Sequence, residues 1–146
     1  MEHQESQYLN LIRDILDKGS FEEGRNGRTK SIFGYSMRFS LKDNTIPLLT
    51  TKKVAWKTCF HELIWFIRGK TDNNLLNEKN VHIWDGNGSR EFLDSRGLNN
   101  NEVNDLGPVY GHQWRNFYAP YTNCHDNYRG KGVAQLQHII ILLTDP

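Results

Sequence analysis

The segment from Trp56 to Arg68, WKTCFHELIWFIR, constrains the fold more than any other part of the chain. Trp56, Cys59, Phe60, Leu63 and Ile67 recur at helical spacing and predict one apolar face, and Gly69 supplies the stop. Such a helix belongs against a core, and Cys59 reads as a core thiol on that face. With about 100° between successive residues, Lys57, His61 and Arg68 share one narrow polar stripe. Glu62 is off that stripe, bracketed by Trp65 and Phe66 with Thr58 one turn back. A carboxylate among aromatics loses water and keeps its proton more readily, which suits it to proton transfer near neutral pH. The plainer alternative is a glutamate at the edge of the polar face, held by a salt bridge, and periodicity alone favours it.

Around this helix the chain reads as a mixture of helices and strands. Tyr8, Leu11, Ile12, Ile15 and Leu16 predict an amphipathic helix that stops at Gly19. Gly24 to Gly27, GRNG, is a basic, turn-rich loop. Ile32, Phe33, Tyr35 and Phe39 make Thr29 to Leu41 prone to one or two strands. Pro47 and the pair Thr50-Thr51 mark a loop. Short helices are expected over Asn73 to Lys79 and Ser89 to Asp94, and polar loops over Asn99 to Gly107 and Ala119 to Gly132. Val133 to Leu143 suits a helix or a buried strand, with length favouring the helix. The fold class expected is α/β, or α+β in looser terms, with a mixed β-sheet and packed helices.

A length of 146 residues suits one compact domain. The net charge of +1 leaves no global basic field to draw nucleic acid. No apolar run reaches the roughly 18 residues of a membrane span, and MEHQESQYLN has no signal-peptide pattern. Cys59 and Cys124 lack metal-ligand spacing, so no metal is expected and a reducing, cytoplasmic setting is. The sequon at Asn87 matters only in a secreted protein and is set aside. A strongly apolar last element followed only by Thr144-Asp145-Pro146 leads one to expect more protein to cover it.

Two further segments carry possible chemistry. VHIWDGNGSR and DLGPVYGHQWR place Trp84, Tyr110, Trp114 and Arg115 beside turns, where aromatics stack on planar ligands or simply form core. Arg25, Arg28 and Lys30 lie in a Gly-rich loop that could hold a phosphate, although such loops are usually just solvated.

The blocks RNGRTKSIFG, PLLTTKKVAWK, HELIWFIRG, VHIWDGNGSREFLDSRG, DLGPVYGHQWR and GVAQLQ, in this order from about Tyr8, resemble the thymidylate synthase family. The resemblance implies methyl transfer from 5,10-methylenetetrahydrofolate to deoxyuridylate, in a homodimer that pairs through its sheet. In that family a cysteine thiolate adds to the pyrimidine C6 and makes C5 nucleophilic toward the folate's one-carbon unit. Glu62 matches the family's catalytic glutamate, which relays protons at the pyrimidine O4. Arg25 matches the arginine that holds the nucleotide phosphate, with Arg28 as rival because this loop is one residue short. Lys52, Ile83, Trp84 and Asn87 match folate-side residues. Tyr110 matches a tyrosine of the active-site hydrogen-bond network, and Trp114 and Arg115 match supporting positions.

The resemblance also implies a Pro-Cys-His nucleophile block and an Asp-Arg-Arg block beyond the position of Pro146. Residues 1–146 therefore read as the N-terminal portion of a single domain of that family, inactive without those blocks. Cys124, beside His125 in TNCHDNYRG, reads as a loop thiol and not as a substitute nucleophile. Two other readings stay open: a non-catalytic fragment or subunit, and the sister family of deoxycytidylate hydroxymethylases.

Overall fold

The computed structural model describes residues 3–25 and 27–145. The chain divides into two compact units, residues 1–54 and 55–146.

The first unit opens with α1 (Ser6–Lys18), closed where the Gly19 amide donates to the Ile15 carbonyl. An antiparallel hairpin follows, β1 (Ser20–Gly24) and β2 (Gly27–Ser31), with Ser20 opposite Ser31 and Gly24 opposite Gly27. The Lys30 ammonium donates to the Leu16 carbonyl, capping an open end of α1. Apart from a 3₁₀ turn at Lys42–Asn44, the described residues from Ile32 to the end of the unit are irregular. Its one buried side chain of the described set is the carboxylate of Glu5. Glu5 accepts four hydrogen bonds, from the amides of Thr50 (2.7 Å) and Thr51 (2.9 Å) and from their hydroxyls (2.6 and 2.8 Å).

The strands expected within Thr29 to Leu41 end at Ser31, and a strand not expected, β1, lies upstream. From Ile32 onward no neighbouring strand offers a ladder among the described residues. Glutamines of α1 and its flank meet the backbone there instead. Gln7 bonds both the amide and the carbonyl of Arg38, at 2.8 and 2.6 Å, and Gln4 accepts from the Ser40 amide at 2.6 Å. Three backbone groups are satisfied in this way, and the largely exposed remainder of the stretch is open to water.

The second unit is built on α2 (Trp56–Ile67), followed by α3 (Asn74–Asn77), α4 (Asp85–Gly88), α5 (Arg90–Ser95), α6 (Tyr110–Asn116) and α7 (Gln135–Thr144). Its core joins Trp65, Leu76, Val81 and Leu106, with Phe66, Leu75, Trp84 and Val109 packed against it. The Trp65 indole donates to the Asp72 carbonyl at 2.9 Å, so its polar edge is satisfied inside that core. α2 ends at Gly69, whose φ of +67° suits glycine, and α6 crosses it at Gly111. A Cβ on Gly111 would stand 2.9 Å from the Lys70 carbonyl oxygen, so only glycine allows this approach. Ser89 caps α5, accepting from the Phe92 amide at 3.2 Å.

The expected core face of α2 is corrected by the structure. Trp56, Cys59, Phe60, Leu63 and Ile67 are exposed, and the buried residue of the helix is Trp65. α3 and α6 pack on α2, and the core they share with it forms around Trp65 and Phe66. Within the unit nothing described covers the other face. The helix expected over Val133 to Leu143 forms as α7, Gln135–Thr144, with Val133 instead bridged to Phe117, and Ile139 to Leu143 are exposed. The class is α+β, with the sheet among the described residues a single antiparallel hairpin.

Candidate functional site

Glu62 projects from the middle of α2, half-buried. Its Oε1 accepts a hydrogen bond from the indole Nε1 of Trp84 at 2.8 Å. Trp84 flanks α4, and its ring lies 6.4 Å from Trp65, Phe66 and Tyr110, centroid to centroid. Phe66 in turn meets Tyr110 at 5.5 Å and Trp114 at 5.6 Å, both edge to face. Glu62 therefore has a neutral donor on one oxygen and aromatic neighbours, and the salt bridge of the plainer alternative is not formed among the described residues. A carboxylate so placed has one oxygen oriented and the other available to water or to a bound polar group.

The other members of the second unit fall around this cluster to different degrees. Tyr110 is exposed at the start of α6, and Trp114 and Arg115 are half-buried on the same helix. Asn87 is half-buried in α4, its amide bonded to the Trp84 carbonyl at 3.0 Å. Ile83, one residue before Trp84, is exposed.

Two candidates belong to the first unit. Arg25 is exposed in the hairpin turn, next to Asn26, which lies outside the described residues. Its rival Arg28 is already engaged: its guanidinium sits 4.2 Å above the Phe21 ring and 3.9 Å from the Glu23 carboxylate. Lys52 is exposed just after Thr50 and Thr51.

Cys124 and His125 are near each other, Sγ to Nε2 at 3.6 Å, and Glu102 reaches His125 at 3.2 Å. The arrangement is not a nucleophilic triad, because thiol and carboxylate both face the same ring nitrogen. In a triad the acid holds the other nitrogen and leaves the first free to take the proton. Burial and the carboxylates of Asp105, Asp72 and Glu102 push the Cys124 thiol up to about 11, the opposite of activation. Its amide is held by Asp105, at 3.1 Å, in a buried network. The same carboxylate accepts from the Tyr121 hydroxyl at 2.5 Å and the Gly107 amide at 3.0 Å. Burial and Asp105 raise the Tyr121 phenol, which keeps its proton as that donor. This network, and the stacked rings of Tyr121 and Tyr128 with His112 edge-on to both, turn a connector that looks merely polar in sequence into an ordered loop.

Among the described residues no group of three or more His, Cys, Asp or Glu side chains is placed to hold a metal ion. No helix of the described chain is long and apolar enough to cross a membrane.

Comparison with known proteins adds a lineage to this geometry. The chain is 57% identical over 146 residues to a bifunctional dihydrofolate reductase-thymidylate synthase of Leishmania major, covering 99% of this chain and 28% of that protein. It is 56% identical over 142 residues to a probable thymidylate synthase of Schizosaccharomyces pombe, covering 96% of this chain and 23% of that protein. It is 53% identical over 146 residues to a thymidylate synthase of Saccharomyces cerevisiae, covering 98% of this chain and 48% of that protein. The chain thus spans between about a quarter and a half of the length of these curated relatives. A profile of the thymidylate synthase family matches residues 6–145, so the aromatic cluster and Glu62 sit in a chain that belongs to the thymidylate synthase family.

Proposed function

We propose that the protein carrying this segment converts deoxyuridylate to thymidylate with 5,10-methylenetetrahydrofolate as one-carbon donor and reductant. It works as a cytoplasmic homodimer without metal, and residues 1–146 form the N-terminal portion of a single thymidylate synthase domain within it. Arg25 holds the nucleotide phosphate. Lys52, Ile83, Trp84 and Asn87 line the folate side. Glu62 relays protons through water at the pyrimidine O4, within a hydrogen-bond network that includes Tyr110. Trp114 and Arg115 have supporting roles near the site.

The observation that carries this reading is the hydrogen bond from the Trp84 indole to Glu62, beside the rings of Phe66, Tyr110 and Trp114. A planar pyrimidine and a planar pterin suit an aromatic wall, and a half-buried carboxylate fixed by a neutral donor suits proton exchange. The covalent step needs a thiolate. Cys124 is unsuited to it, and family resemblance implies that a Pro-Cys-His block outside residues 1–146 supplies that group.

The test follows the hydrogen at C5, which the incoming carbon displaces. The whole protein is given deoxyuridylate tritiated at C5, with and without methylenetetrahydrofolate, and in parallel labelled deoxycytidylate. Folate-dependent tritium release from deoxyuridylate, with thymidylate as product, is expected. Release from deoxycytidylate with a hydroxymethylated product would move the protein to the sister chemistry, and release from neither would overturn the assignment.

A further inference from the structure

α4 is only four residues long, too short to hold itself, yet Trp84 at its entrance must be aimed at Glu62. Something outside α4 fixes it, and the tethers converge on one residue. Asn73 is completely buried. Its Nδ2 donates to Asp85 Oδ1 at 2.8 Å and to Asn104 Oδ1 at 3.2 Å, and its amide donates to the Asn104 carbonyl at 2.9 Å. The Asn104 amide then donates to the Gly88 carbonyl at 2.9 Å, and the Asn104 side chain donates to Asn74 at 2.7 Å. Both ends of α4 are thereby tied to Asn73, Asp85 directly and Gly88 through Asn104.

The hub has a fixed orientation. Among the described residues Asn73 Oδ1 is buried without a partner. Turning the amide over would aim that oxygen at the Asp85 carboxylate and lose the donor, so the amide stays as it is. Asp85 is further held by His82, Nδ1 to Oδ2 at 3.0 Å, and His82 by Asn80 at 3.2 Å. The Asn73 amide is the foremost influence holding the Asp85 carboxyl below its usual range, with His82 and Asn77 adding to it. The carboxylate is therefore ionised and accepting at neutral pH.

We propose that Asn73 is a positioning residue for the reaction: through Asp85 and Asn104 it sets the α4 turn so that the Trp84 indole meets Glu62. It touches neither substrate nor reacting atoms. The inference rests on the reading of Glu62 as the proton relay.

The experiment uses the whole protein and two variants. Asn73→Asp is isosteric but turns a second carboxylate toward Asp85. Asn73→Asp combined with Asp85→Asn restores one amide-to-carboxylate bond with its direction reversed. Turnover, nucleotide dissociation constant and melting temperature are measured together with the Trp84 indole N–H resonance in ¹⁵N-tryptophan-labelled protein, assigned with Trp84→Phe. For Asn73→Asp the expected result is a displaced indole resonance and at least a tenfold lower turnover, with nucleotide affinity within twofold. The combined variant should recover both resonance and turnover.

The proposal is overturned if Asn73→Asp lowers only the melting temperature while resonance and turnover hold. It is also overturned if the combined variant regains stability without regaining the resonance. Should Asn73→Asp not fold, the combined variant decides by the same two readouts. A wild-type protein without turnover on deoxyuridylate would sink the functional reading, and the indole resonance would still score the link from Asn73 to Trp84 separately.

Discussion

The two units hold themselves together by different means. Every buried apolar side chain of the described residues, from Trp65 to Tyr128, belongs to residues 55–146. In residues 1–54 the organising contacts are polar: Glu5 gathers Thr50 and Thr51, and Gln4 and Gln7 hold the backbone of Arg38 and Ser40. An apolar core loses stability when volume is removed and is nearly indifferent to pH. A carboxylate-centred knot tolerates volume change and is sensitive to protonation. The same division runs through the candidate chemistry. The charges proposed to hold ligands, Arg25 and Lys52, stand on the polar unit, whereas Glu62, the carboxylate proposed to relay protons, stands on the aromatic one.

The contrast can be tested at its sharpest with Glu62→Gln in the whole protein. The amide keeps the shape and can still accept from Trp84, but it carries no proton. Turnover should fall by about 10²–10⁴, with nucleotide affinity and melting temperature little changed. Loss of activity only through unfolding, or near-normal turnover, would make Glu62 a structural residue of the aromatic unit.

A smaller effect, on stability, is expected from Trp65→Ala. It opens a cavity in the core and strands the Asp72 carbonyl, and large aromatic truncations cost about 3–5 kcal/mol. Urea titration should show the loss as a lower midpoint. A loss under ~1 kcal/mol would mean that the second unit is not held by this core.

Next comes the polar unit's arginines. Arg25→Ala should raise the nucleotide dissociation constant about tenfold or more, because a charge-assisted phosphate contact contributes roughly 1.5–3 kcal/mol. Arg28→Ala should do less, since Arg28 is taken up by Phe21 and Glu23. Equal losses, or a larger one at Arg28, would reverse the assignment within the loop.

The smallest effect concerns Glu5, whose carboxyl is held down to about 2 from an ordinary 4.5, first by the Thr50 hydroxyl and then by Thr51. A depressed folded value means stabilisation that is complete above the unfolded pKa and lost as pH falls through the folded one. The protection of the Thr50 and Thr51 amides, taken as the exchange rate relative to that of an unstructured peptide at the same pH, should therefore fall between pH about 4.5 and about 2. Glu5→Gln should remove that acid step. An unchanged profile in the variant would show that the polar knot does not govern its unit.

What the sequence made legible follows the same physical lines. α1 and α2 are readable because apolar residues recur at helical spacing, and α7 by its length, its unbroken apolar run leaving helix and strand open; the cap at Ser89 that fixes the start of α5 shows only in the structure. α4 and α6 are not readable, being short and glycine-bearing, with packing rather than propensity holding them. β1 escaped because SFEEG shows no alternation and its partner strand does the pairing. The apolar stripe of α2 predicted the helix and misjudged which face is buried, since period says nothing of where neighbours lie. Glu62 and Trp84 were named separately by resemblance. That an indole reaches a carboxylate 22 positions away depends on the Asn73 tether, for which no pattern in the chain gives a sign.

The crowding of carboxylates around Cys124 has a chemical consequence of its own. Oxidation of a cysteine begins from its thiolate, and with a value near 11 only on the order of one molecule in a thousand carries that form at pH 8. Peroxide and electrophilic reagents should therefore react slowly with this thiol, although a histidine stands beside it.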